Sequence, residues 1–210
     1  PGMVALIARN GFVVYEKAFG SADPETNRPY QTDHIFRIAS QTKAITATAV
    51  MILWEKGLFN LDDPISNYIP EFKDVTILEE FNNSDSSYTT IPAKNQITIR
   101  HLLNHTSGIG YGIIDGDERI RKIYQKAEVI DLYTTEDISI EQSVKRLAKL
   151  PLHHEPGERF TYSEGLDVLG YLVEIISGHS FSEFLEEHLF EPLGMSNTQF
   201  YLSENQNKLL

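Results

Sequence analysis

Apolar positions follow two regimes along the chain. Met3 to Ala8 and Phe12 to Phe19 are β-rich runs flanking Arg9-Asn10-Gly11. Asn-Gly is the strongest short hairpin signal, because both central residues of the favoured two-residue turn need positive φ. The chain is therefore expected to open with an antiparallel hairpin. Both strands carry apolar residues at successive positions, which predicts a sheet covered at least in part on both faces. Gly20 to Thr32 is a polar, turn-rich connection.

Beyond it the pattern becomes helical. Ala44 to Leu53 holds almost no strongly polar position, so it has little amphipathic stripe and is expected to be buried on nearly all sides, with Gly57 ending it. Ile65, Tyr68 and Ile69 pack a short helical piece. From Glu71 to Gln96 periodicity is lost, and Asn82 to Ser87 reads as turn or mobile loop. Thr98 caps a helix that runs toward Gly108. A helix is expected from Asp117 to Val129, although Tyr111 to Thr135 is otherwise hard to read. Ser139-Ile140-Glu141-Gln142 is a capping box opening a helix that reaches Leu150 and stops at Pro151. Leu166, Leu169, Leu172, Val173 and Ile176 give a helix from Glu164 to Ser177, and a second capping box at Ser180 and Glu183 opens another to Phe190. No internal repeat is visible.

Composition narrows the function classes. The net charge of −12 argues against nucleic acid and anionic membrane as partners and otherwise serves solubility. With no cysteine, disulfides, thiolate metal sites and a cysteine nucleophile are excluded. No apolar run approaches the length of a membrane span. His101 and His105 stand at i, i+4, a spacing that suits a metal, but no accompanying Glu completes a His-Glu-x-x-His motif; they are read as bonding neighbouring turns, with no metal and no cofactor expected. His153 and His154 are expected at the surface.

Candidate chemistry concentrates at Ser40-Gln41-Thr42-Lys43. Ser40 and Lys43 are one turn apart at a helix start, so their Cβ atoms lie about 5–6 Å from one another on one face. The helix N-terminus favours negative charge on the serine oxygen, and the Ser40 N–H is placed to meet an oxyanion. Burial pushes a lysine pKa downward, which would let Lys43 accept the Ser40 proton or pass one on.

Ser-x-x-Lys opening an apolar helix resembles the nucleophile motif of the serine β-lactamase and penicillin-binding protein superfamily, and Phe36 to Phe72 is similar to its class C-like branch, which includes family VIII carboxylesterases. Two further stretches, ITIRHLLNHTSG from Ile97 and PGERFTYSEGLDVLGYLVEIISG from Pro156, strengthen the resemblance. It implies an α+β fold of the β-lactamase/transpeptidase type, with an antiparallel sheet lobe flanked by helices and an all-helical lobe. Residues 1–60 would supply the hairpin and nucleophile helix, 61–160 a mostly helical lobe, and 161–210 the tyrosine-motif helix and return.

The resemblance also implies Tyr162 as the residue that takes the Ser40 proton, with the Lys43 ammonium favouring the phenolate, and Gln41, Ser163 and Glu164 as substrate contacts. None of the ten tyrosines has Asn two residues on; Glu164 occupies that position, which shifts the expectation from β-lactamase toward an esterase acting on small esters or amides. A Lys-Thr-Gly-like strand and the later strands of such a fold are not found, so a second chain or further segment is expected to complete it. Alternatives are a β-lactamase, a D-amino-acid peptidase, or an acyl-binding sensor without turnover. The resemblance favours a periplasmic or extracellular location.

Overall fold

The computed structural model describes every residue except Pro1, Pro24, Leu132, Tyr133 and Thr135. The poorly legible stretch from Tyr111 thus ends at Thr135, outside the described residues. The chain forms two compact units, residues 1–38 with 195–210, and residues 39–194.

In the first unit, β1 (Gly2–Arg9) pairs antiparallel with β2 (Phe12–Asp23), and the short β3 (Arg28–Pro29) adds to the far end of β2. The hairpin closes where the sequence predicts: Asn10 and Gly11 have φ of 53° and 79°, the pair of positive values that matches strand twist. Arg28 donates to the carbonyls of Lys208 and Leu210, and the Ile35 N–H donates to the Leu209 carbonyl at 2.8 Å, tying the C-terminal residues to this unit. Among the described residues the expected cover over both sheet faces is missing, and Met3, Leu6, Ile7, Phe12, Val13, Val14 and Phe19 all stand exposed. An apolar ribbon of this extent is an association surface. Residues 1–210 expressed by themselves should therefore form oligomers or aggregates in light scattering; a monomer at all accessible concentrations would contradict this.

The second unit is organised around α5 (Gly165–Ser177), on which α1 (Thr42–Glu55), α2 (Ile99–Leu103), α4 (Ile140–Leu147) and α6 (Phe181–Leu185) each pack. Val168, Leu169, Leu172 and Val173 are fully buried, each side chain stabilising the unit by roughly 1.5–3 kcal/mol. The remaining helix of the central region, α3 (Glu118–Lys126), starts at Asp117, whose side chain accepts the Arg119 N–H. Both serine capping boxes form as expected. Several helices end sooner than their apolar period suggests; α4 stops at Leu147 because the chain unwinds before Leu150, and past α6 the residues Glu186–Phe190 continue as a π-helix.

Three expectations change. Helix α1 is buried on one face only, through Thr46, Ala49, Val50 and Leu53, whereas Trp54 is 42% exposed. The aperiodic stretch after Glu71 contains a hairpin of β4 (Thr76–Phe81) and β5 (Tyr88–Pro92), in which β5 is exposed throughout, so no alternation marks it. His153 and His154 are not at the surface. His154 is 3% exposed, with its ring nitrogens against the Glu155 carbonyl and the Thr161 hydroxyl. His153 Nε2 lies 2.9 Å from Asp115 Oδ2.

Candidate active site

The chain enters α1 through a 3-10 turn, Ala39–Gln41. Ala39 has φ of 44°, a left-handed conformation that costs a non-glycine residue roughly 1–2 kcal/mol. That kink presents Ser40 outward just before α1, with Gln41 exposed beside it as the N-cap.

Tyr162 meets Ser40 from the other side, its Oη 2.8 Å from Ser40 Oγ. Lys43 completes the group from within the first turn of α1. Its ammonium lies 5.0 Å from the centre of the Tyr162 ring and 5.1 Å from that of Tyr111, and donates to Tyr111 Oη at 3.4 Å. The two phenol rings stack with centroids 5.5 Å apart and planes 2° from parallel. Cations on aromatic faces gain about 0.5–2 kcal/mol each.

These surroundings reverse the electrostatic expectation for Lys43. Burial does oppose its charge, but hydrogen bonds to Tyr162 and Tyr111, together with the charge of Asp167, outweigh it and raise the lysine above its ordinary value. An amine held more firmly protonated is a poor proton acceptor and a strong electrostatic partner. Burial conversely raises the Tyr111 phenol, opposed by Lys43.

His105 seats the tyrosine. It follows the C-cap of α2 with φ of 59°, so a histidine rather than the expected Gly108 takes the left-handed position just past that cap. Its carbonyl accepts the Thr161 N–H at 2.8 Å, its Nδ1 accepts the Ser163 N–H at 3.2 Å and its ring lies 4.9 Å from that of Tyr162. Burial first and the Lys43 ammonium second lower its pKa, which keeps Nδ1 free to accept. As pH falls through the usual histidine range near 6.5, the unfolded state takes up a proton that the folded state resists, and stability is lost. His105→Gln should flatten the acid arm of a Tm-against-pH curve between about 6.5 and 5; an unchanged arm would show that His105 does not set it. His101, by contrast, serves the α2 capping box, its Nδ1 accepting the Thr98 N–H at 3.3 Å. Among the described residues no group of His, Asp and Glu is arranged to hold a metal ion.

Two of the expected substrate contacts lie in other surroundings. Ser163 is fully buried; its hydroxyl faces His105 Nδ1 at 3.0 Å and accepts the Gly165 N–H at 3.2 Å, so it braces the tyrosine turn and is closed to a substrate. Glu164 is 5% exposed and accepts the Gly112 N–H at 3.2 Å. Burial, then the charges of Asp167 and Asp131, push its carboxyl up to about 9. Sequence reasoning missed Tyr111 altogether, although its position three residues after Gly108, flanked by Gly110 and Gly112, was an available signal.

The chain is similar to known proteins over nearly all of its length. The family model described as Beta-lactamase matches residues 1–209. Esterase EstB of Burkholderia gladioli is 36% identical over 97% of this chain and 48% of its own length. Among solved structures, EstCE1, described as a hydrolase with promiscuous acyltransferase activity, aligns with a TM-score of 0.79 at 32% identity over 98% of this chain and 50% of its own. Simvastatin synthase (LovD) from Aspergillus terreus aligns with a TM-score of 0.78 at 30% identity, over 100% of this chain and 50% of that one. The chain thus spans about half the length of the relatives it matches. No helix among the described residues is long and apolar enough to cross a membrane.

Proposed function

Because this chain belongs to the Beta-lactamase family, we propose that it carries the nucleophile and proton-transfer groups of a serine hydrolase that cleaves small carboxylic esters through an acyl-enzyme on Ser40. The observation that carries the reading is the 2.8 Å contact between Tyr162 Oη and Ser40 Oγ with the Lys43 ammonium beneath the phenol ring. The esterase and acyltransferase names of the relatives support the substrate class.

In the proposed reaction, Tyr162 acts as a phenolate whose charge the Lys43 ammonium balances; Ser40 Oγ attacks the acyl carbon while its proton moves to that oxygen, leaving a neutral phenol and negative charge on the acyl oxygen. The Ser40 N–H, at the start of the helical turn, meets the developing oxyanion. As the ester C–O bond breaks, Tyr162 returns the proton to the departing alkoxide, which leaves as an alcohol. Water, or a second alcohol, then attacks the acyl-enzyme by the reverse path and frees Ser40. Gln41, exposed beside Ser40, is the side chain of this set available to touch the acyl group.

The test is covalent. A fluorophosphonate applied to the intact protein should place one adduct on Ser40, located by mass spectrometry, and p-nitrophenyl ester release should continue past one equivalent. An adduct on another serine, or none, removes the nucleophile assignment, and a burst that stops at one equivalent makes the domain an acyl receptor instead.

A further inference from the structure

Tyr111 sits between Gly110 and Gly112 on an irregular segment, yet its backbone is held at every turn by side chains. The Gly110 N–H donates to Tyr124 Oη at 3.0 Å and the Tyr111 N–H to Asp115 Oδ2 at 2.8 Å. Glu164 takes both sides of Tyr111 at once. Its backbone N–H donates to the Gly110 carbonyl at 3.1 Å, and its carboxyl Oε1 accepts the Gly112 N–H at 3.2 Å. Tyr124 is 2% exposed, Glu164 5% and Asp115 7%, so water does not compete for these bonds. Beyond it, the Ile113 N–H donates to Asp131.

The packing is equally close. A Cβ on Gly110 would come within 2.7 Å of Ile120 Cγ2 and 2.9 Å of both Asp115 Oδ2 and His153 Nε2, while one on Gly112 would run into the Asp131 carboxyl, 2.7 Å from its Cγ. Neither glycine has positive φ; both are needed for close approach. Tyr111 is thus fixed in place from its backbone, and its ring and hydroxyl deliver that placement to Lys43.

We propose that Glu164 is a positioning residue, which acts on acyl transfer through Tyr111 by bracketing the Gly110–Gly112 backbone so that the Tyr111 phenol holds the Lys43 ammonium against Tyr162. This rests on the serine hydrolase reading above. It also accounts for the departure from the Tyr-x-Asn pattern, because the longer carboxyl side chain reaches the Gly112 N–H from inside the protein.

The experiment combines kinetics with amide exchange on the intact protein. Glu164→Ala should lower kcat for a p-nitrophenyl ester by roughly ten- to a hundredfold, the scale of a misplacement of about 1 Å, with a smaller change in KM. Exchange at the Gly112 amide should lose its protection. Glu164→Gln, which keeps an acceptor oxygen without charge, should recover most of both. In a Tyr111→Ala background the further Glu164→Ala change should cost less than roughly twofold, since residues acting as a unit are not additive. Equal losses in the two backgrounds, or a Gly112 amide that stays protected in Glu164→Ala, overturn the proposal. If Glu164→Ala does not fold, a Glu164→Gln variant that loses both activity and protection overturns it as well. Fluorophosphonate labelling of wild-type Ser40 separates the two readings: no adduct there defeats the hydrolase assignment, while an adduct combined with additive losses defeats only the role of Glu164.

Discussion

Replacing Tyr162 with phenylalanine is expected to lower kcat on a p-nitrophenyl ester by roughly two to four decades, the usual cost of losing a positioned proton-transfer group. The substitution deletes the oxygen that lies 2.8 Å from Ser40 Oγ and leaves the stacked ring that packs on Tyr111 and His105. The lost hydrogen bond is solvent-accessible, so stability should change by no more than about 1 kcal/mol. Lys43→Ala is expected to cost a similar factor in kcat, because the Tyr162 phenolate that takes the Ser40 proton then lacks the cation that balances its charge. Steady-state kinetics with a denaturation control checks both. Near-full activity in Tyr162→Phe would make the tyrosine structural and pass the proton to Lys43, a role its raised pKa suits poorly.

Glu164→Gln should convert the alkaline side of the stability profile. The carboxyl titrates near its ordinary 4.5 in an unfolded chain and near 9 in the folded protein. Across that window the native state keeps a proton that the unfolded state has lost, so stability falls as pH rises, by up to about 1.4 kcal/mol per pH unit for one group. Glutamine has no proton to lose. The variant should match the wild type near pH 4.5, gain on it steadily through neutrality, and hold a constant advantage above about 9. Urea denaturation at pH 5, 7 and 9 reads this directly. Parallel stability curves would mean that Glu164 is ionised in the folded protein, with the Lys43 ammonium and the Gly112 N–H holding its charge against the repulsion of Asp167 and Asp131.

Much of the fold and the centre of the site could be read from residue order. The Asn10-Gly11 turn, the capping boxes at Ser139 and Ser180, and Ser-x-x-Lys at a helix start are local signals, decided by neighbours within a few positions. The tyrosine motif adds Tyr162, which the structure brings to hydrogen-bonding distance of Ser40. What could not be read is set by tertiary context. His153 and His154 are polar residues in a loop, and only their pairing with Asp115 and Thr161 makes burial favourable. Tyr111 reaches Lys43 across a sequence separation of 68 residues, with no periodicity to announce it. Burial alone would push the Lys43 pKa downward, and the direction reverses because two phenols supply what desolvation removes.

His105 combines roles that proteins usually distribute. Its left-handed backbone ends one helix while its ring and carbonyl seat the tyrosine segment, so helix termination and site assembly cannot drift apart under mutation. Glycine would suit the backbone and remove the acceptor; glutamine would keep an acceptor and strain the backbone. Asparagine alone among common replacements tolerates the left-handed region and offers an amide oxygen. The evolutionary path at this position is therefore narrow, and a deep mutational scan should find it among the least permissive residues of the chain.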